Sequence, residues 1–324
     1  MKILVIRRDN IGDLVCTTPL LRALRQHFPQ AWIGALVNSY NAPVLAGNPD
    51  VSEVLAYRKA KHREPGESAF GAHAARARLI WHLRRMHIDD VILAAPAAQP
   101  SAERFARWIA PRRVLGGADA PLPHEVEKVF AALAAYGIAG PPPACRVVAD
   151  AQRVAALRAR LPPDFAGRPL IALHISARKP SQRWPAERHV ALLRALHAQR
   201  GAAFLLFWSP GAADNPLHPG DDAMAATITA QCHDLPLCAL PTPELADLIA
   251  GLACAGQVVC SDGGAMHLAA GLGKPIVCFF GQSDAPRWHP WGVPHTLLQA
   301  RGRDVVDIDV ETAVAAVCAP PGGP

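Results

Sequence analysis

Three stretches of this chain bring together residue types that do chemistry. The first is Arg7-Arg8-Asp9-Asn10-Ile11-Gly12-Asp13, directly after the apolar run Lys2–Ile6 and before a segment with helical spacing. A carboxylate at a strand-to-helix turn can take a proton from a bound hydroxyl, and glycine there lets the backbone approach a ligand. The plainer role for Asp13 is to cap the helix that starts beside it. The turn matches neither GxGxxG nor GxxxxGK[ST], so a dinucleotide fingerprint and a P-loop are both missing. The second stretch is Ser261-Asp262-Gly263-Gly264-Ala265-Met266-His267. Two adjacent glycines at a helix start bare successive N–H groups, a ready site for phosphate or pyrophosphate. The alternative is a tight turn with a capping Asp and a packed His. The third stretch runs from His174 to Pro185 and gathers Ser176, Arg178, Lys179, Ser181 and Arg183. Three cations and two hydroxyls in one loop can clamp a diphosphate, or can simply be a solvated basic loop.

Around these residues the apolar patterning alternates short runs with helical segments. Strands are predicted at Lys2–Ile6, Trp32–Val37, Val54–Tyr57, Asp90–Ala94 and Val114–Leu115, with helices over Leu14–Phe28, Phe70–Met86 and Glu125–Tyr136. The second half repeats the logic: strands at Leu170–His174, Ala203–Trp208, Val258–Ser261 and Pro275–Phe280, and helices over Pro185–Gln199, Asp221–Gln231, Pro243–Ala253 and Ala265–Leu272. Thr242 is expected to open the third of these helices and Asp309 to cap a last one over Val310–Cys318. Alternation of this kind means parallel sheets covered on both faces, here two doubly wound α/β domains. The expected boundaries are 1–160 and 161–306, with 307–324 as a terminal helix segment. Prolines mark the break: the chain has 31 among 324 residues, about twice the usual share, clustered between 140 and 165 and at the end.

Composition narrows the function classes. Hydrophobic residues make up 51% and charged residues 19%, which excludes a disordered chain. No apolar stretch reaches the length of a membrane-spanning helix, and no signal-peptide pattern opens the sequence, so a cytoplasmic protein is expected. The eight cysteines show no CxxC pair and read as thiols of a reducing compartment, not as metal ligands. The sole Asp-x-Asp, Asp307-Ile308-Asp309, reads as a cap and not as a cation site. Net charge is +6, unevenly spread. Residues 1–160 hold 22 basic and 13 acidic side chains (+9), and residues 161–324 hold 11 and 14 (−3). The basic half therefore points to an anionic partner. Nucleic acid is not expected, because the basic runs lack interleaved aromatics and the chain has only 3 tyrosines.

Together the three stretches resemble glycosyltransferase family 9, the ADP-heptose:lipopolysaccharide heptosyltransferases. The resemblance is carried by Lys2–Arg7 with Asn10-Ile11-Gly12-Asp13 and Thr17-Thr18-Pro19-Leu20-Leu21-Arg22. It is carried further by Arg183-Trp184-Pro185, by Ser261-Asp262-Gly263-Gly264 with His267-Leu268-Ala269-Ala270, and by Gly273-Lys274-Pro275 and Phe280-Gly281. It implies the GT-B fold, two Rossmann-like domains facing a central cleft, with a last helix crossing back to the first domain. It also implies an inverting, metal-independent transfer of heptose from ADP-heptose to a lipopolysaccharide core acceptor. On the matching positions, Asp13 is the general base. Ser176, Lys179, Arg183, Asp262, Gly263, Gly264 and His267 bind the donor, with Asp214 at its ribose, and no cofactor is implied. The acceptor, an anionic glycolipid, falls to the first domain, at Asn10 and Gly12 and at the basic residues Arg58, Lys61 and Arg63. Arg76, Arg78, Arg84 and Arg85 add to that charge, and peripheral contact with the inner face of the inner membrane is implied. One position departs from the family pattern: a lysine is usual two residues before the Trp-Pro pair, and Gln182 stands there. Two other readings stay open, a transferase for a different nucleotide-activated sugar and a family member that binds nucleotide or lipid without turnover.

Overall fold

The computed structural model describes residues 1–57, 69–95, 99–116, 122–215 and 219–320. The chain forms two compact units, Met1–Val147 and Val148–Pro324.

In the first unit five parallel strands, β1 (Lys2–Ile6), β2 (Trp32–Asn38), β3 (Glu53–Tyr57), β4 (Asp90–Leu93) and β5 (Arg113–Gly116), lie in the order β3-β2-β1-β4-β5. Strand β1 is central, with Ile3 opposite Ile33 on one side and Asp90 on the other. Its helices are α1 (Ile11–Val15), α2 (Thr18–His27), α3 (Ala69–Arg85), α4 (Pro100–Ile109) and α5 (Glu125–Phe130). Leu4, Ile6, Leu36 and Val91 of the sheet pack with Leu83 of α3 and Phe105 and Ile109 of α4. Both faces of the central strands are thus buried, which is why they read as unbroken apolar runs. The helix expected over Leu14–Phe28 starts earlier and is split at Cys16-Thr17 into α1 and α2. The Glu125–Tyr136 helix is α-helical only to Phe130 and then tightens into a 3₁₀ turn ended by Gly137 at φ 71°.

The second unit holds a six-stranded parallel sheet. Its strands are β6 (Leu170–His174), β7 (Ala203–Trp208), β8 (Leu237–Pro241), β9 (Gln257–Ser261), β10 (Ile276–Phe280) and β11 (His295–Gln299), in the order β11-β10-β9-β6-β7-β8. Helices α6 (Ala151–Ala159), α7 (Ala186–Arg200), α8 (Asp222–Gln231), α9 (Leu245–Cys254), α10 (Gly264–Gly271), α11 (Ala285–Trp288) and α12 (Val310–Cys318) complete it. Leu173, Phe204, Leu206, Val259 and Phe279 meet Leu192 and Leu196 of α7 and Val314 and Val317 of α12 in one core. The third helix begins at Leu245 with Glu244 as its cap residue, not at Thr242; the Thr242 hydroxyl donates instead to the Trp208 carbonyl at 2.8 Å. Asp309 does cap α12, accepting from the Thr312 N–H at 2.6 Å.

One boundary differs from that read in the sequence. The units divide at Val147/Val148 and not near 160, because α6 packs on α9 of the second unit. Part of the segment from 307 packs within the second unit. Ala313, Val314 and Val317 fill its core, and Arg200 donates to the Val317 carbonyl at 2.8 Å. With the structural boundary the first unit holds 19 basic and 12 acidic residues (+7) and the second 14 and 15 (−1). The charge asymmetry survives the correction.

Candidate active site

In an open parallel sheet ligands bind beyond the carboxyl ends of the strands where the strand order reverses. In the first unit that point lies between β1 and β4, and the chain leaving β1 is Arg7–Asn10. Asp13 is not the cap residue of α1. Asn10 is, and Asp13 sits one turn in, where its Oδ2 accepts from both the backbone N and the Nδ2 of Asn10 at 3.0 Å. Its other oxygen, Oδ1, pairs with the Nη2 of Arg7. The Asp13 side chain keeps 13% of its surface exposed, enough for a substrate hydroxyl to reach it. Asn10 is exposed and Gly12 buried in α1. The Asn10 amide orients the Asp13 carboxylate.

Arg7 is the hub of this turn. It is buried, donates to the Ala94 carbonyl, and contacts Glu125 Oε1 at 2.8 Å and Asp9 Oδ2 at 3.1 Å besides Asp13. Burial works against its charge, but the carboxylates of Asp13, Glu125 and Asp9 outweigh that and hold the guanidinium above its ordinary range. Glu125, with no exposed surface, comes from the start of α5, 118 residues further along. Sequence reasoning saw it only as a helix start; the missed signal is the Arg7-Arg8 pair directly after a buried strand, which requires carboxylates nearby. Asp9 in turn accepts from Gln99 at 2.8 Å, while its backbone carbonyl accepts from Tyr40 Oη at 2.6 Å. Arg58, Lys61 and Arg63 lie outside the described residues.

In the second unit the order reverses between β6 and β9, and the two other stretches emerge there. Gly263 precedes α10 and Gly264 is its first residue, directly after the carboxyl end of β9. His267 is buried in the first turn of α10, edge-on to Trp288 at 5.9 Å. Asp262 accepts from Gln182 Nε2 at 2.8 Å, and the same nitrogen reaches Ser283 Oγ at 2.8 Å. Gln182 is itself buried, so the position that departs from the family pattern is a neutral tie between the β6 loop, the β9 turn and the chain after β10. That close approach needs a glycine: a Cβ on Gly281 would fall 2.1 Å from the Ser181 carbonyl oxygen.

The cations of the β6 loop divide. Lys179 and Arg178 are exposed, and Lys179 precedes a short 3₁₀ turn. Arg183 is engaged with Asp221 and with the Ala177 carbonyl at 3.0 Å. Burial raises Asp221 above the usual carboxylate range, against a hydrogen bond from Ser176 and the charge of Arg183. The Ser176 hydroxyl also accepts from the Ser209 N–H at 2.8 Å. Asp214 is exposed in the loop after β7. That loop is braced by Asp222, which the sequence did not single out and which accepts from Trp208 Nε1 at 2.7 Å and from the Gly211 N–H at 2.9 Å. Among the described residues no group of three or more His, Cys, Asp or Glu side chains is placed to hold a metal.

Two doubly wound parallel sheets, each with polar loops at its switch point, define the GT-B class of α/β protein. The family model of glycosyltransferase family 9 (heptosyltransferase) matches residues 102–307. The chain belongs to that family and is a glycosyltransferase. It is 27% identical over 310 residues to lipopolysaccharide heptosyltransferase 2 of Salmonella typhimurium, across 87% of this chain and 83% of that protein. It is 24% identical over 294 residues to lipopolysaccharide heptosyltransferase 3 of Escherichia coli, across 86% and 83%. Its fold matches that of the E. coli ADP-heptose lps heptosyltransferase II with a TM-score of 0.77 at 20% identity, over 98% of this chain and 97% of that one.

Proposed function

We propose that this glycosyltransferase moves heptose from ADP-heptose to a hydroxyl of a lipopolysaccharide core acceptor, with inversion at the anomeric carbon and without a metal ion. The observation that carries the reading is Asp13, partly exposed at the switch point of the first sheet and aimed by Arg7 on one oxygen and Asn10 on the other. The Asp13 carboxylate takes the proton of the acceptor hydroxyl. That oxygen bonds to the anomeric carbon as the bond from this carbon to the β-phosphate oxygen breaks, and ADP leaves with the electron pair. A carboxylate is a weak base, so proton transfer accompanies bond breaking and does not precede it. The leaving phosphates take the N–H groups at Gly263-Gly264, the dipole of α10 and the exposed Lys179, with Ser176, Arg183 and Asp262 fixing the loops around them. His267 lies beside the sugar and Asp214 at the ribose.

The names of the relatives support this donor and acceptor. A cytoplasmic location at the inner face of the inner membrane goes with it, and all eight cysteines are free thiols, as a reducing compartment requires. The test is Asp13→Asn. It removes the base while keeping the shape and the Asn10 contacts. Transfer to truncated lipopolysaccharide falls about 10³-fold while ADP binding by calorimetry is unchanged. Transfer within a few-fold of the parent enzyme refutes the role of Asp13. Screening ADP-, GDP- and UDP-sugars for consumption separates the heptose donor from other activated sugars.

A further inference from the structure

Where the chain leaves β1 it loses its sheet partners but not its need for hydrogen bonds. The Arg7 N–H donates to the Leu36 carbonyl of β2 at 3.0 Å, next to the last paired residues of the two strands, Ile6 and Leu36. The carbonyls that follow, of Arg8, Asp9 and Asn10, are taken by side chains at and beyond the end of β2. Asn38, the last residue of that strand, donates its Nδ2 to the Arg8 carbonyl and to the Asp9 carbonyl at 3.1 Å. Asn41 Nδ2 donates to the Asp9 carbonyl at 3.2 Å and lies 3.5 Å from that of Asn10. Tyr40 Oη donates to the Asp9 carbonyl at 2.6 Å. The Asp9 oxygen thus takes three side-chain donors, although a carbonyl has two lone pairs. Both asparagines are buried, and among the described residues neither Oδ1 has a hydrogen-bond partner. A buried amide with an orphaned oxygen destabilises the fold, so asparagine is unfavourable at both positions except for the donors it supplies.

We propose that Tyr40, Asn38 and Asn41 form a positioning group for the transfer, acting on Asp13 through the Asp9–Asn10 peptide; this rests on the reading of Asp13 as the base. In a planar trans peptide the C=O and the following N–H point in opposite directions. The Asp9 oxygen is aimed at the end of β2, so the Asn10 N–H is aimed the other way, at Asp13 Oδ2, which it meets at 3.0 Å. Donors on a carbonyl polarise the amide and strengthen its N–H as a donor in turn. The three side chains therefore fix the plane of this peptide, and with it the direction from which Oδ2 is held, and they strengthen the bond that holds it. Arg7 fixes the other oxygen, so the carboxylate is gripped by a cation on one side and by a peptide braced from β2 on the other. Tyr40 is 42% exposed, so direct contact of its ring with the acceptor is the competing role, and the test separates the two.

Tyr40→Phe is the informative change. It removes one hydroxyl from an exposed ring and leaves the Asp9 carbonyl its two amide donors, so the protein folds as before. Transfer from ADP-heptose to truncated lipopolysaccharide is measured with the full-length parent, Tyr40→Phe, Asp13→Asn and the double variant, varying donor and acceptor in turn. Tyr40→Phe lowers kcat about five- to tenfold, the worth of one hydrogen bond, with both KM values within about twofold of the parent. A base already removed cannot be misplaced, so in the Asp13→Asn background the same change leaves the residual kcat unaltered. An unchanged kcat for Tyr40→Phe, a raised acceptor KM with kcat intact, or an equal loss in both backgrounds overturns the proposal. Asp13→Asn at near the parent rate refutes the base itself and takes this role with it. A slow Asp13→Asn beside a full-rate Tyr40→Phe refutes only the positioning group.

Discussion

Replacing Arg7 by methionine removes a buried cation at nearly constant volume and leaves Glu125, Asp9 and Asp13 facing one another. At an effective dielectric near 20, a charge contact of about 3 Å contributes about 5 kcal/mol before desolvation is subtracted. Asp9 and Asp13 keep 27% and 13% of their surface exposed, so water replaces much of what they lose. Glu125 has no such recourse, and its contact at 2.8 Å carries the net cost. Breaking a buried pair from one side costs about 3–5 kcal/mol, and that is the expected loss for Arg7→Met. Glu125→Gln alone strands the cation less severely, because Asp13 and Asp9 still face it. The double variant is therefore more stable than Arg7→Met, with a coupling of about 2 kcal/mol. Urea unfolding at pH 7 of the four proteins of the cycle measures this. Transfer activity of Arg7→Met falls as well, because Asp13 loses the partner that fixes Oδ1. An Arg7→Met cost below about 1 kcal/mol, or a coupling of zero, refutes the placement of Glu125 as the anchor of the site.

Two further changes test other parts of the structure. Gln182→Leu strands Asp262 and Ser283, which both take the same amide, and is expected to cost about 2 kcal/mol in urea unfolding and to weaken ADP binding by calorimetry; unchanged values in both assays remove Gln182 from the site. Burial pushes His189 down to about 3, and neither ring nitrogen has a hydrogen-bond partner beside Trp184. Because the folded value lies below the unfolded one of about 6.5, the unfolded chain takes up a proton that the folded chain refuses, and stability falls as pH drops below that value. By pH 5 the loss is about 2 kcal/mol, and His189→Met flattens this part of the pH–stability curve. An unaltered curve in the variant assigns the acid sensitivity to other groups.

Most of the architecture was legible because parallel strands buried on both faces are short apolar runs that nothing else in the chain imitates. The strands that escaped notice, β8 (Leu237–Pro241) and β11 (His295–Gln299), are edge strands of the second sheet, half-exposed and carrying Pro or His. Helix α6 escaped for a related reason: none of its residues is buried, so it has no apolar stripe to read. The same gap put the domain boundary thirteen residues late, since α6 belongs to the second unit only through its packing on α9. At the site, the glycines and Asp13 were visible because loop position alone gives them meaning. Glu125 and the Gln182–Asp262–Ser283 tie were not, because each joins residues 80 or more apart in the chain.

The placement of charge in the first unit sharpens what its basic excess is for. At the switch point Arg7 faces three carboxylates, so the neighbourhood of Asp13 is locally acidic although the unit as a whole carries +7. An acidic pocket favours an uncharged hydroxyl over a phosphate next to the base, which suits proton abstraction from a sugar. Under the proposed function, the phosphates of an anionic glycolipid therefore take cations away from the reacting hydroxyl. On the described part of the unit the exposed cations concentrate on α3 and α4, around two indoles. The exposed cations of the unit and the carboxylates around Asp13 are thus held on different elements. The first can be varied by surface substitution without disturbing Asp13, and the second cannot be varied without disturbing the core that Glu125 anchors.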